Sequence, residues 1–274
     1  MKSTYIYKIW TTTPTQVGGN AEINSPIDNA IAREVYTKHP YIPASSIKGS
    51  LKRNYRDQAG ADSFFGEADK IGSASISDAK ILAFPVSSLY GVFGWISCPI
   101  ALNNFYQNLG IKGELELIQE INEDEIIIST SSNLAKGKQV VLDQLVLQAK
   151  KKNFQSVLNP NITPPNSANE FFHTKFSKDF AIVNDDVFTL ITKNNSDIQM
   201  RTNIDENTGV AKDGALWSEE YLPENTLLYG LMRLSDQKNQ NLSNLIKNFD
   251  GILQIGANES IGKGFTLIEL KNLG

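Results

Sequence analysis

One carboxylate and a crowd of cations, set close together, carry the chemistry that can be read first. Asp28 sits among small and apolar residues in Pro26-Ile27-Asp28-Asn29-Ala30-Ile31-Ala32. Further on come a small-polar turn, Pro43-Ala44-Ser45-Ser46, and a basic helix. From Arg33 to Arg56 the chain carries Arg33, Lys38, Lys48, Lys52, Arg53 and Arg56 against one acid, Glu34, although its net charge is -4. Cations concentrated in this way grip a phosphate backbone. The pattern is therefore a phosphate grip with an acid poised beside it.

The spacing predicts the element that positions the grip. Ser45 or Ser46 can cap a helix that begins near Ile47 and runs to about Gln58. The N–H groups left open at its start, with the positive end of the helix dipole, form an anion site. Ile47, Leu51 and Tyr55 recur at helical spacing and face a core, while Lys48, Lys52 and Arg56 make a parallel basic stripe. An ordinary amphipathic helix with a solvated face accounts for that stripe alone. The Ser-Ser-x-Lys-Gly start is what favours an anion site.

Composition narrows the class. With 41% hydrophobic and 20% charged residues the chain reads as a globular protein. No apolar run reaches the length of a membrane span, and MKSTYIYK lacks a signal-peptide core, so a cytoplasmic protein with no membrane partner is expected. The single cysteine, Cys98, reads as a buried thiol and excludes a disulfide framework within the chain. A pI of 5.4 is low for a nucleic-acid binder that relies on bulk charge, so such binding must come from a local patch or from several subunits. No GxxxxGK[ST] motif supports ATP binding.

The order of elements reads as α+β. Strands are expected at Tyr5–Thr11, Ser73–Val86, Gly91–Ser97, Glu125–Thr130, Gln139–Gln148, Ile198–Ile204, Thr226–Leu234, Ile252–Ile255 and Phe265–Leu270. Helices are expected after Pro99 through Leu109 and near Leu242–Phe249, with short helices flanking a loop at Asn159–Asn169. A ferredoxin-like core with long insertions, built as one elaborated domain over 1–274, fits this order.

Four blocks resemble a known family. They are the Asp28 segment with Ile42 to Lys52; Ser77 to Val86 with Gly91-Val92-Phe93-Gly94-Trp95; Glu219-Glu220-Tyr221-Leu222-Pro223 with Thr226 to Tyr229; and Gly256 to Phe265. The chain resembles the backbone subunits of the type III-B CRISPR effector, the Cmr complex, within the RAMP superfamily. The resemblance implies an RRM-like RAMP core with a thumb β-hairpin, here at about 196–225. It implies copies stacked head-to-tail along a guide RNA together with other Cmr subunits, and a loop aspartate that cleaves target RNA with a divalent metal, Mg²⁺ or Mn²⁺. By motif position that aspartate, and the metal ligand, is Asp28. Ser45, Ser46 and Lys48, with Lys52 and Arg53 on the same helix, would hold the guide, and the loop bearing Gly262 and Lys263 would line the same groove. The family often has histidine where this chain has Gln16, and glutamine where it has Ala32.

RNA cleavage can use the substrate's own 2′-hydroxyl, so one carboxylate suffices if it holds a metal whose other ligands are water and phosphate oxygens. Glu22 and Glu34 are possible helpers, and Glu219, Glu220 and Tyr221 could reach the site from the thumb. As a bare feature Asp28 reads first as a turn or cap aspartate, and the resemblance is what reverses that order. Met200, Arg201 and Trp217 could wedge against bases or simply pack the hairpin. His39 and His173 are the only histidines, which disfavours a histidine acid–base pair. Two alternatives stay open: a non-catalytic RNA-binding spine, and the related type III-A backbone subunit.

Overall fold

The computed structural model describes residues 3–18, 26–67, 69–111, 121–153, 161–205, 207–235, 249 and 251–273. The chain opens with β1 (Ser3–Thr11), then β2 (Tyr41–Ile42), α1 (Ala44–Tyr55) and α2 (Ala61–Phe65). A small hairpin, β3 (Gly66–Glu67) and β4 (Lys70–Ile71), precedes β5 (Ala74–Ile76), β6 (Ala79–Ser88), β7 (Val92–Ser97) and α3 (Pro99–Leu109). Next come β8 (Glu125–Ser129), β9 (Ala135–Lys136), β10 (Gln139–Leu142) and β11 (Leu145–Lys152). Two helices, α4 (Glu170–Asp179) and α5 (Asp185–Asn194), bracket β12 (Phe180–Val183). The hairpin β13 (Asp197–Ile204) and β14 (Ala211–Tyr221) follows, then β15 (Leu227–Leu234), β16 (Gly251–Gln254) and β17 (Phe265–Asn272). The fold is mixed α+β. The helix expected near Leu242–Phe249 lies, apart from Phe249, outside the described residues.

Among the described residues one large sheet runs β16-β17-β1-β15-β6-β7-β12-β8-β11-β10-β9. The run β17-β1-β15-β6 is antiparallel throughout. β1 is buried on both faces because its alternate side chains meet different cores. Tyr7 and Ile9 pack with Ile47, Leu51 and Tyr55 of α1, whereas Ile6 and Trp10 join Trp95 and Phe176. Ile47 and Leu51 are fully buried, each contributing about 1.5–3 kcal/mol. The apolar stripe read from the sequence is therefore the seat of the basic helix. Beyond β6 the sheet curls: Leu142 of β10 pairs with Ser88 of β6, closing β6, β7, β12, β8, β11 and β10 into a ring. All six strands feed one core through residues such as Phe84, Ile96, Ala181, Ile128, Leu147 and Val140.

Two expected strands are each divided. Gln139–Gln148 folds as a hairpin because Asp143 takes the left-handed conformation (φ 51°) that an aspartate tolerates in a tight turn. Ser73–Val86 breaks at Ser77 and Asp78, whose side chains have other duties. Leu231 N–H donates to Ser77 Oγ at 2.8 Å, and Ala44 N–H donates to Asp78 Oδ1 at 2.8 Å. That last bond also corrects the expected cap. α1 starts at Ala44 with Pro43 in the cap position, and neither Ser45 nor Ser46 caps it. One of the N–H groups expected to be open at the helix start is thus taken by Asp78.

The Phe93-Gly94-Trp95 block works in packing. Trp95 is buried, lies 5.7 Å from Trp10 and donates its indole N–H to Asn225 O at 2.8 Å, which fastens the ring to the central sheet. A Cβ at Gly94 would fall 2.6 Å from the Asp179 carbonyl oxygen and 2.8 Å from Leu134 Cδ1. The main chain of Asp179 cannot give way as a flexible side chain would. Gly94→Ala is expected to lower stability by about 1–3 kcal/mol, seen as a lower urea midpoint at unchanged slope.

Candidate active site

Three loops and one strand end meet at the base of the β13–β14 hairpin. β14 pairs with β13 along one edge and takes the Asp28 segment along the other. Asn29 N–H donates to Ser218 O at 3.0 Å and Glu220 N–H to Asn29 O at 3.0 Å, a parallel bridge. Just beyond, Leu222 bridges Thr15 of the first loop, and Ala32 N–H donates to Val17 O at 3.0 Å. Ala257 N–H donates to Gln16 O at 2.9 Å, which brings in the C-terminal glycine loop. Gly256 (φ 96°) permits this approach, since a Cβ there would lie 2.1 Å from Gln16 O.

Asp28 is exposed, yet one of its oxygens is fixed. Ser218 donates both its backbone N–H and its hydroxyl to Asp28 Oδ2, each at 2.8 Å. Asp28 N–H donates in turn to Ser218 Oγ at 2.9 Å. The Ser218 N–H, followed by its hydroxyl, holds the Asp28 carboxyl below the usual carboxylate range. Met200 stands directly opposite Ser218 in the hairpin register, so it shares the face of that hydroxyl, and it is 61% exposed. Glu220, on the same face, holds the rest of the segment. Ile31 N–H donates to Glu220 Oε2 at 3.0 Å, and Arg33 meets Oε1 at 2.5 Å in a pair whose glutamate side chain is 3% exposed. Arg33 also donates to Thr192 O at 3.1 Å, tying the segment to α5.

The opposite face of β14 carries a second network. Trp217 Nε1–H donates to Glu219 Oε1 at 2.8 Å, Asn258 Nδ2–H donates to Oε2 at 2.8 Å, and Tyr221 donates its hydroxyl to Oε2. Burial pushes Glu219 upward, but these donors and the nearby Arg201 charge outweigh it and leave the carboxyl below its usual range. Tyr221 is pushed up to about 12 by burial and by the Glu219 carboxylate. Lys263 Nζ rests 4.8 Å from the Tyr221 ring centroid, a cation–π contact that fixes the turn bearing Gly262. Arg201, opposite Trp217, belongs to this face. The three residues expected to wedge against bases are therefore split across the strand, with Met200 on the Asp28 side and Arg201 and Trp217 on the Lys263 side.

The basic helix is only partly open. Ser45 is exposed, Ser46 and Lys48 are half-buried, and Lys48 makes no hydrogen bond or ion pair among the described residues. Lys52 donates to Gly66 O at 2.6 Å, and Arg53 pairs with Glu259 at 2.5 Å, joining α1 to the C-terminal loop. Glu34 is engaged by Lys80 at 2.9 Å and by the Thr37 hydroxyl at 2.6 Å, and with His39 it lines a small polar cleft. His39 is buried, its Nε2 3.1 Å from Thr189 Oγ1, and His173 Nε2 lies 3.1 Å from Pro165 O. Each histidine ring thus has a partner within the fold, and Glu22 lies outside the described residues.

Among the described residues no group of three or more His, Cys, Asp or Glu gathers to hold a metal. The donor set at Asp28 is one ionised, exposed carboxylate with a second oxygen outside the Ser218 bonds. That fits a hard cation that keeps most of its waters, as Mg²⁺ does, and does not fit a protein-built cage. Sequence reasoning missed Ser218 and the Arg33–Glu220 clamp, because no local pattern marks a partner 190 residues away.

Two outcomes follow from the geometry. A depressed Asp28 contributes stability above about pH 4 and loses it as pH falls through the folded value. An NMR titration should find its midpoint below the ordinary range in the native protein and higher in Ser218→Ala; an equal midpoint in both would discount the hydroxyl. Arg33→Met strands the buried Glu220 charge and should cost about 3–5 kcal/mol in chemical denaturation.

The sequence profile of the RAMP superfamily matches residues 8–267. The CRISPR system Cmr endoribonuclease Cmr4 of Pyrococcus furiosus is 32% identical over 286 residues, covering 98% of this chain and 96% of its own length. The crystal structure of oligomeric Cmr4 from the same organism superposes with a TM-score of 0.75 at 29% identity, covering 99% of both chains. A chain of the type III-B Cmr-beta complex bound to cognate target RNA superposes at 0.73 over 98% of this chain and 97% of its own; at 19% identity that likeness shows the fold alone. A profile match that spans nearly every element from β1 to β17 means that this chain belongs to the RAMP superfamily.

Proposed function

We propose that this chain is a guide-RNA-binding backbone subunit of a type III-B CRISPR effector complex and an endoribonuclease that cuts guide-paired target RNA at regular intervals. One observation carries the reading: an exposed, ionised Asp28 is held at the base of a projecting hairpin, in a chain 32% identical over 98% of its length to a Cmr endoribonuclease. Its partners are the guide RNA, the target RNA, further copies of itself and other Cmr subunits. Guide-directed cleavage of transcripts carries a cytoplasmic location with it. The antiparallel order β17-β1-β15-β6, with α1 between β1 and β6, supports a ferredoxin-like core within one domain. The β13–β14 hairpin, at about 196–225 with its turns, is the thumb.

Guide binding falls to Ser45, Ser46 and Lys48 at the start of α1. Arg53 joins them by exchange: its pair with Glu259 is half exposed and worth about 0–1 kcal/mol, so a phosphate competes with it readily. Lys52 shapes the helix seat through Gly66, and Lys263 with Gly262 lines the groove beyond Tyr221. A heterologous stack of copies lets an acidic chain bind RNA, because each copy needs only its own local patch.

Cleavage proceeds by in-line attack of a target 2′-hydroxyl on the adjacent phosphorus; the hydroxyl gives its proton to solvent, the bond to the 5′-oxygen breaks and that oxygen takes a proton from water, leaving a 2′,3′-cyclic phosphate and a 5′-hydroxyl. Met200, exposed beside Asp28, splays the bases so that the backbone can reach that alignment. Asp28 would hold Mg²⁺ or Mn²⁺, which would supply positive charge where the phosphate reacts. The carboxylate is ionised at neutral pH, so it offers charge rather than a proton. Glu219 and Tyr221 keep the opposite face of β14 in register and present Lys263 to the groove.

A spine without catalysis is the second reading, favoured by the use of Asp28 Oδ2 as an acceptor for Ser218. Asp28→Ala separates the two. In the reconstituted complex with Mg²⁺ and guide-matched RNA, the variant should assemble normally and lose the regularly spaced cuts. Cleavage that persists would sink the catalytic assignment.

A further inference from the structure

The hairpin and the catalytic loop are joined by more bonds than a surface loop needs. Asp28, Asn29, Ile31 and Arg33 each bond to β14, and Ser218 alone exchanges three hydrogen bonds with Asp28. Two of those three bonds end on Oδ2 and none on Oδ1, while Asp28 as a residue stays exposed. The Ser218 backbone N–H would anchor a carboxylate by itself. The hydroxyl adds a second donor to the same oxygen and also accepts from Asp28 N–H, so rotation about the Asp28 side chain breaks two bonds rather than one. Ser218 is moreover the cross-strand partner of Met200, an exposed apolar side chain on the same face.

We propose that Ser218 is a positioning residue for cleavage: its hydroxyl orients the Asp28 carboxylate and sets it at a fixed offset from Met200. The inference rests on the reading of Asp28 as the cleaving carboxylate. Ser218 itself touches no RNA. It makes the carboxylate part of the hairpin, so that a hairpin seated on the duplex carries the acid to the scissile phosphate already aimed. A carboxylate left to rotate would still bind the ion and would meet the phosphate less often. The effect therefore belongs in the rate of cutting rather than in the binding of RNA.

The test uses the reconstituted complex with guide-matched RNA under single-turnover conditions. Ser218→Ala should cut about 10–100-fold more slowly, the range usual for groups that orient a ligand from behind it, with target-RNA affinity unchanged. Ser218→Thr keeps the hydroxyl and should restore the rate to within a few-fold of the native protein, with cuts at the same nucleotides. A native rate in Ser218→Ala overturns the proposal. So does a loss matched by weaker RNA binding, or an equal loss in the alanine and threonine variants, since either marks a purely structural serine. Asp28→Ala run in parallel separates the two failures: if it still cuts, the reading of Asp28 is wrong, whereas if it is dead and Ser218→Ala is not, only the positioning role is wrong.

Discussion

A carboxylate with 3% side-chain exposure must find its countercharge inside the protein, and Glu220 finds it in Arg33. Removing both charges from water is costly, so the pair holds only while each partner keeps its remaining hydrogen bonds. Glu220 has the Ile31 N–H, and Arg33 has the carbonyls of Lys38 and Thr192. Those four contacts converge from the Asp28 segment, the turn after it, α5 and β14. Everything in the candidate site is placed relative to that crossing. Asp28 stands directly before the bridge-bonded Asn29, and Ser218 two residues before Glu220 on the same strand face, so the clamp fixes both ends of their contact.

The cations of the opening segment turn out to divide between structure and ligand. Arg33 neutralises a buried acid, Lys52 satisfies a main-chain carbonyl, and Arg53 ties a helix to a loop through an exposed pair. Lys48 is the cation of α1 that the described residues leave without such a duty. The contrast in burial decides how each behaves. A pair in water is cheap to exchange, and a pair out of water is not.

What was legible in the sequence is what depends on short range. Ile47, Leu51 and Tyr55 announce the seat of α1 because helical periodicity is local, and α3 begins at Pro99 because proline is tolerated in the first turn. Asp28 was singled out, as an expectation, by the motif around it. β14 was not: Ala211–Tyr221 is polar, bends through Gly214 (φ 71°), and draws its order from β13 on one side and the Asp28 segment on the other. Serine capping of α1 failed for a related reason, since the capping group arrives from Asp78, outside the local window. The two halves of the site are 190 residues apart, and pairing at that distance leaves no trace in either half alone.

The join between the first loop and the C-terminal loop is made by main-chain atoms. Ala257 N–H meets the carbonyl of Gln16, and Gly256 supplies the room by lacking a side chain. This join therefore does not depend on which side chain position 16 carries, although the Gln16 side chain is itself buried. A change of side chain at position 16 leaves this backbone join in place and is felt in the buried space around that side chain.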